Sequence, residues 1–287
     1  FAEGEIWPNL IGEASNRSIP LALINARMTQ KSLKGWARWP GFSRDVFSHF
    51  DLLLAADRQT AEGLSRLSGK SVASPGNLKS ALIPPTADSA LVSELDTGFV
   101  GGRDSLVAVS THPGEEAWLL DAADGIEPRP AITLVPRHPE RREEIIALLK
   151  DRGLSHSVRS RNETPKPTDD VLLADTLGEV GLFAALADTV YLGGGHAEGV
   201  GGHNPIEILR LRRPVVTGPL TFNFEDMMRE LEGDPGFRVV QTHADLIDAF
   251  PLSPPSNDLI GRLEEQAFDP MARTVEGLEA LLGRRSQ

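Results

Sequence analysis

Residues 189–211 read TVYLGGGHAEGVGGHNPIEILRL. Thr189–Leu192 is a short apolar run of the kind that becomes a buried strand, and glycines follow it at once. A second glycine pair then leads through His203 and Asn204 to Pro205 and an amphipathic stretch ending near Leu211. Strand, glycine loop and helix in that order are the repeating unit of a parallel α/β sheet. Asn204 suits an N-cap and Pro205 the first helical position. Five glycines within residues 193–201 let a backbone come close to a ligand. With Gly201 and Gly202 before it, the helix start would offer free amides and a positive dipole end to a phosphate. Glu207, one turn in, suits the two hydroxyls of a ribose or the completion of a cap with Asn204. The spacing is neither a GxGxxG after a first strand nor a Walker loop, which disfavours dinucleotide and P-loop readings.

The same alternation runs outward in both directions. Further strands are predicted at Leu106–Ser110, Ile132–Val135, Val171–Leu173 and Pro214–Thr217, with helices at Gly114–Ala123, Pro139–Arg152, Glu179–Ala187, Pro205–Leu211 and Phe224–Leu231. Upstream, strands are predicted at Leu21–Ala26, Leu52–Ala56 and Ser71–Ser74, between helices at Pro8–Ala14, Gly41–Ser48 and Gln59–Leu67. The glycine-rich Asp96–Asp104 reads as a linker. Pro251–Ser256 breaks the chain before a last helix over Asn257–Leu282. The expected organisation is two Rossmann-like α/β domains, residues 1–98 and 104–256, with residues 257–287 packing back toward the first. The chain opens at Phe1 without a methionine, inside what reads as a strand, so upstream residues of the first domain are expected to be missing.

A length of 287 residues accommodates two domains, and 40% apolar residues support packed cores. With no cysteine, a disulfide framework, a cysteine-based zinc finger and thiol catalysis are excluded, and a reducing compartment fits. No apolar run approaches the length of a membrane span. A net charge of −12 argues against nucleic-acid binding, although a small anion can still be held where cations concentrate. The seven histidines form no HExxH, and no nucleophile elbow is present, so neither a metal cofactor nor hydrolase chemistry is expected.

In open parallel sheets, ligands bind where strands run into helices at their carboxyl ends. Besides the glycine loop, that rule selects Ser110-Thr111-His112-Pro113-Gly114, whose hydroxyls and amides suit a phosphate or a helix cap. It also selects Val135-Pro136-Arg137-His138-Pro139, where a permanent cation and an imidazole suit an anionic donor. Thr176-Leu177-Gly178-Glu179 reads as a capping box or as a ligand loop. In the first half, Arg27, Lys31, Lys34, Arg38 and Arg44 interleave with Trp36, Trp39, Phe42 and Phe47. Such a basic-aromatic segment suits an anionic lipid surface, or else a solvated helix with its aromatics turned inward.

These blocks, in order, resemble those of the Kdo (3-deoxy-D-manno-octulosonic acid) transferases of Gram-negative lipopolysaccharide biosynthesis. Glu3–Leu10 is similar to their ETELWPNL, and Asn25-Ala26-Arg27 followed by Ser32 to NARLSERS. Gly76-Asn77-Leu78-Lys79 is similar to GNLKFD, with Ser80-Ala81 replacing Phe-Asp. Ser110–Glu116, Val135–Arg141, Asp175–Glu179, Gly201–Glu207, and Gly218-Pro219 with Thr221–Phe224 resemble STHEGEE, VPRHPER, DTMGE, GGHNPLE and GPHTFNF. Gly195–Val200 departs from the family loop.

The resemblance implies a GT-B fold, with two Rossmann-like domains whose parallel sheets face each other across a cleft. It implies transfer of Kdo from CMP-Kdo to a lipid A precursor with inversion, without a metal, at the cytoplasmic face of the inner membrane. The donor would lie among Ser110, Thr111, His112, Arg137, His138, Thr176, Gly178, Glu179, Gly201, Gly202, His203, Asn204 and Glu207. Trp7, Asn25, Arg27, Lys31, Lys34, Trp36, Arg38 and Trp39 would lie on the acceptor or membrane side. The general base is expected upstream of Phe1, with Glu5 assisting at most. Rival readings are a GT-B transferase or epimerase using a UDP-sugar, and an inactive nucleotide-binding fragment.

Overall fold

Leu106, Val107, Ala108 and Val109 alternate in direction along one strand, yet all four are buried. A strand that is apolar on both sides must lie inside a sheet covered on both faces. The computed structural model, which describes residues 1–78 and 87–283, places that strand at the centre of an all-parallel sheet. The strands are β3 (Ser105–Thr111), β4 (Ala131–Pro136), β5 (His156–Val158), β6 (Val171–Leu173), β7 (Thr189–Leu192), β8 (Val215–Thr217) and β9 (Phe237–Val239). Their spatial order is β5-β6-β4-β3-β7-β8-β9. The chain thus moves outward from β3 on one side, then returns to pair β7 with β3 on the other. The crevice beyond the carboxyl ends of β3 and β7 is the point of reversal, where open α/β sheets bind ligands.

One face of the sheet, including Leu106, Ala108, Leu134, Leu173 and Tyr191, packs with Leu119 and Leu120 of α6 (Glu115–Ala123). Ile145 and Leu149 of α7 (Arg142–Asp151) and Leu246 of α11 (His243–Ala249) complete that core. α8 (Val180–Ala184) packs on β3 and β4 and buries Phe183 and Ala184. α9 is Ile206–Arg210 and α10 Glu225–Leu231.

The chain divides into two compact units, Phe1–Leu82 with Leu263–Gln287, and Ile83–Arg262. In the first, the parallel pair β1 (Ala22–Ala26) and β2 (Leu52–Ala55) is flanked by single bridges, Ala2 to Ile24 and Leu54 to Ala73. Its core holds Ile11 of α1 (Pro8–Asn16) and Val46 and Phe47 of α3 (Pro40–Ser48). It also holds Leu64 and Leu67 of α4 (Arg58–Ser68), with Leu33 of α2 (Gln30–Ala37) at its edge. α12 (Asn257–Gly283) begins in the second unit and continues into the first, where Gly277 lies against Leu52 and Leu54.

Several sequence readings need correction. Asp96–Asp104 is not an extended linker: α5 (Ser89–Leu95) continues into a π-helical turn over Asp96–Val100 that buries Phe99 and Val100. Ser71–Ser74 supplies a single bridge rather than a strand. The Pro139–Arg152 helix is a 3-10 turn, Pro139–Arg141, followed by α7, and the helix predicted from Glu179 to Ala187 is the shorter α8. β5, β9 and α11 have no counterpart in the sequence reading; the two strands have three residues each, too short to show a period. Lys79, Ser80 and Ala81 lie outside the described residues.

Leu106→Ala, at a fully buried position of the central strand, is expected to cost ~3 kcal/mol. Urea unfolding followed by circular dichroism measures it, and a loss below ~1 kcal/mol would contradict the packing described for β3.

Candidate active site

Two acidic side chains begin α6, and both are buried. The Glu115 carboxylate accepts four hydrogen bonds. Oε2 takes the backbone N–H of His112 (2.9 Å) and of Gly194 (2.8 Å). Oε1 takes the backbone N–H of His196 and the Tyr191 hydroxyl, each at 3.0 Å. One carboxylate therefore ties the loop after β3 to the loop after β7. Tyr191 has a single hydroxyl proton, and giving it to Glu115 leaves an oxygen lone pair for His196 Nδ1, 2.8 Å away. That requires His196 to carry its proton on Nδ1. Burial and the neighbouring Glu115 carboxylate raise the pKa of Tyr191 and keep its phenol neutral.

Glu116 serves the next strand. Its Oε1 accepts from Thr111 Oγ1 (2.6 Å) and Arg141 Nη1 (2.7 Å), while Oε2 accepts from Arg141 Nη2 (3.0 Å). Burial by itself would lower the Arg141 pKa, but the hydrogen bonds to Glu116 and Glu144 outweigh it and raise it. The result is a bidentate, nearly buried pair joining the start of α6 to the turn after β4.

On this frame sit three histidines. His112 Nε2 and His203 Nε2 are 2.9 Å apart, with their rings stacked at 5.1 Å and 14°. His138 stands edge-on to His112 at 6.0 Å. A bond between two Nε2 atoms needs one proton, so protonating both rings would break it. Burial, then the positive charge of His138, Arg141 and Arg137, lowers the pKa of His112 against the opposing pull of Glu115. Burial, then His112 and Arg137, lowers that of His203.

A second cluster stands at the ends of β5 and β6. Glu179 Oε1 accepts from Arg159 Nη2 (2.8 Å), and Thr176 Oγ1 donates to Glu179 Oε2. These hydrogen bonds, that of Arg159 first, lower the Glu179 pKa, and the same contact raises that of Arg159. The Thr176–Glu179 capping box is not formed: α8 starts after Glu179, and Thr176 bonds the glutamate side chain instead of an amide. Beside it, the buried Asp175 accepts from Ser160 N (2.9 Å) and Ser160 Oγ (2.6 Å) and pairs with Arg142 (3.1 Å).

Three glycines of the loop are required by the packing of the loops around it. A Cβ on Gly193 would stand 2.4 Å from Ser110 O, and one on Gly195 2.4 Å from Gly218 N. At Gly201 it would meet the Phe222 ring at 2.5 Å. These glycines let three loops press against one another, joined by Gly202 N to Gly194 O (3.0 Å) and Leu220 N to Gly195 O (2.8 Å). Open space lies over Gly199 of the same loop, and over Gly178 and Gly114.

Among the expected donor residues, Ser110 stands at the bulge that ends β3, with φ +57°, a rare conformation for serine and one often found at functional sites. Thr111 is fully buried and engaged by Glu116, so it positions the loop. Arg137 and His138 are exposed, and Arg137 has no hydrogen-bond or ion-pair partner for its side chain among the described residues. Asn204 Oδ1 accepts from Ile206 N (3.0 Å), so it caps α9. Glu207 is half-buried, with no hydrogen bond or ion pair among the described residues. No three His, Asp or Glu side chains among the described residues are grouped to hold a metal ion.

In the other unit, Asn25 is buried with φ +50°, and its Oδ1 accepts from Leu78 N (2.9 Å), an internal tie. Trp36 packs edge-on to Phe47 at 5.1 Å and stacks on Phe42 at 6.0 Å, so the inward-turned reading holds for this residue. Trp7 and Trp39 are 60% and 70% exposed, and Glu5, Arg27, Lys31, Lys34 and Arg38 are exposed as well. Sequence reasoning missed Glu115, Glu116, Arg141, Tyr191 and Arg159 as site builders; the one visible signal was the acidic pair opening α6.

Residues 1–82 match the family described as 3-deoxy-D-manno-octulosonic-acid transferase (kdotransferase). The transferase of that name from Bordetella pertussis is 36% identical over 236 residues, covering 79% of this chain and 54% of the relative. That of Haemophilus influenzae is 33% identical over 253 residues, covering 86% and 58%. The chain thus spans about half the length of the curated relatives it matches. Among solved structures, the C-terminal CMP-Kdo binding domain of WaaA from Acinetobacter baumannii aligns with a TM-score of 0.52 at 27% identity. It covers 64% of this chain and 99% of that domain. UDP-GlcNAc 2-epimerase from Neisseria meningitidis aligns with a TM-score of 0.50 at 17% identity, over 94% of this chain and 72% of the epimerase, a likeness of fold alone. The parallel sheets and these neighbours define a GT-B-type α/β protein. The chain belongs to the Kdo transferase family.

Glu115→Gln puts an amide NH₂ among four donors and is expected to cost ~3 kcal/mol. Urea unfolding against a Glu62→Gln surface control measures the loss. The lowered pKa values of His112 and His203 mean that, just below the ordinary value of about 6.5, the unfolded chain binds more protons than the native one. Their contribution to stability is full above that pH and lost as pH falls through it. Unfolding free energies at pH 7.5 and 5.5 should therefore differ less in His112→Gln/His203→Gln than in the wild type; equal differences would refute this.

Proposed function

We infer that this chain carries the donor-binding part of a glycosyltransferase that moves Kdo from CMP-Kdo to a lipid A precursor. The observation that carries this is the unpaired Arg137 guanidinium beside the His112–His203 pair, at the carboxyl ends of β3, β4 and β7. A cation without a partner, next to open backbone and hydroxyl groups at the switch point of a parallel sheet, suits the phosphate of a nucleotide sugar. Likeness to a domain named for CMP-Kdo binding, across nearly all of that domain, supports cytosine as the base.

On this reading, Ser110, His138 and Arg137 hold the phosphate, with Gly178 leaving room at the second cluster. Glu207, with no protein partner, is the candidate for the ribose hydroxyls, and Glu179 is presented by Arg159 and Thr176. In the reaction, an acceptor hydroxyl oxygen bonds to the anomeric carbon of Kdo with inversion, while the bond from that carbon to the CMP phosphate oxygen breaks. The hydroxyl proton goes to a carboxylate, and the departing CMP takes the electron pair and negative charge. Arg137 stabilises that developing charge, and neutral imidazoles at His112 and His203 donate or accept without competing for the anion. Trp7, Trp39 and the exposed cations Arg27, Lys31 and Arg38 suit attachment to an anionic membrane surface at the cytoplasmic face of the inner membrane. No helix among the described residues is long and apolar enough to cross a membrane.

Calorimetric titration without metal is expected to show binding of CMP and none of UDP at equal concentration. Arg137→Ala should weaken CMP about tenfold and leave the urea midpoint unchanged. Binding of UDP alone, or unchanged CMP affinity in Arg137→Ala, would overturn the reading.

A further inference from the structure

Three helices of the first unit line an open pocket of about 470 Å³, at which Lys34, Arg44 and Arg66 are all solvent-exposed. Lys34 of α2, Arg44 of α3 and Arg66 of α4 line it, with Gln30 and Gln59 beside them and Leu33 and Leu67 as apolar lining. Gly63 makes the close approach possible, since a Cβ there would stand 2.6 Å from the Leu33 methyls. Among the described residues, no carboxylate lines the cavity.

Some helix-face cations of this unit are neutralised by a glutamate one turn away. Arg58 pairs with Glu62 one turn along α4, and Arg17 pairs with Glu13 on α1. Lys34, Arg44 and Arg66 have no hydrogen-bond or ion-pair partner among the described residues, in a chain with a net charge of −12. Three cations from three separate helices, brought to one concave site with two amides, suit a ligand with more than one negative charge and several acceptor oxygens.

We propose that this cavity is a binding site for a phosphate monoester group, separate from the donor site of the second unit. The dianion meets two guanidiniums and an ammonium, the glutamines bond its remaining oxygens, and the leucines accept an apolar substituent next to the phosphate. Such a group is offered both by free phosphate compounds and by the headgroup of a phosphomonoester lipid.

The full chain is tested by calorimetry with inorganic phosphate, and by flotation with phosphatidylcholine vesicles carrying phosphatidic acid. Control vesicles carry phosphatidylglycerol at matched surface charge. The expected result is saturable binding to phosphate, to phosphatidic acid over phosphatidylglycerol, or to both. Arg44→Gln/Arg66→Gln should weaken it at least tenfold, and Arg44→Lys/Arg66→Lys, which keeps both charges, should retain most of it. Phosphate binding that competes with vesicles assigns the site to free phosphate groups; preference for phosphatidic acid unaffected by phosphate assigns it to the lipid. Absence of both, or binding unchanged in the glutamine double variant, would overturn the proposal. CMP titration of the same variants reads the donor site independently, so failure of one assignment does not carry the other with it.

Discussion

The loops at the carboxyl ends of β3 and β7 depend on one buried carboxylate. Glu115 gathers three backbone amides and a phenol from two loops that belong to different strands. Buried amides without partners are costly, and loops that turn sharply at a strand end have few chances to satisfy them. Collecting them on a single anion, at the positive end of a helix, fixes the distance between β3 and β7 where the topology reverses. Glu116 repeats the device one residue on, drawing Thr111 and Arg141 together and so joining the ends of β3 and β4. Everything that points outward from those ends inherits its position from these two glutamates.

This arrangement separates residues that build the site from residues left free in it. Thr111, Glu115, Glu116, Tyr191 and Arg141 are used up by one another. Ser110, His112, His138 and His203 stand on the frame they make, and Arg137 and Glu207 keep their charges unspent. Charged groups without a hydrogen-bond or ion-pair partner among the described residues, next to a network whose acidic groups are bonded within the protein, are candidates for holding a ligand. The first unit holds a similar contrast on its helices: Arg17 and Arg58 pair with glutamates one turn away, while the three cations that line the pocket have no hydrogen-bond or ion-pair partner among the described residues.

Much of the fold was legible in the sequence. Apolar runs such as Leu106–Val109 and Thr189–Leu192 can only be strands buried on both faces, and their alternation with amphipathic stretches requires a parallel sheet. Asp96–Val100 was misread because glycines commonly mark linkers, whereas here Phe99 and Val100 are buried and the helix widens into a π-turn. The glycine loop is legible from its composition, but not that Gly193 and Gly195 admit neighbouring backbone, at Ser110 and Gly218.

By itself the sequence determined the class of fold, the candidate loops at the strand ends, and the family blocks that run from Glu3 to Phe224. These rest on local periodicity and on residue types, which the chain carries at every point. Only the tertiary structure decided which polar residues are spent and which are free. Glu115 meets Gly194 and His196 across about 80 residues of chain, and His112 meets His203 across 91. Such pairings depend on strand order and register, and no local pattern encodes the distance between two strand ends.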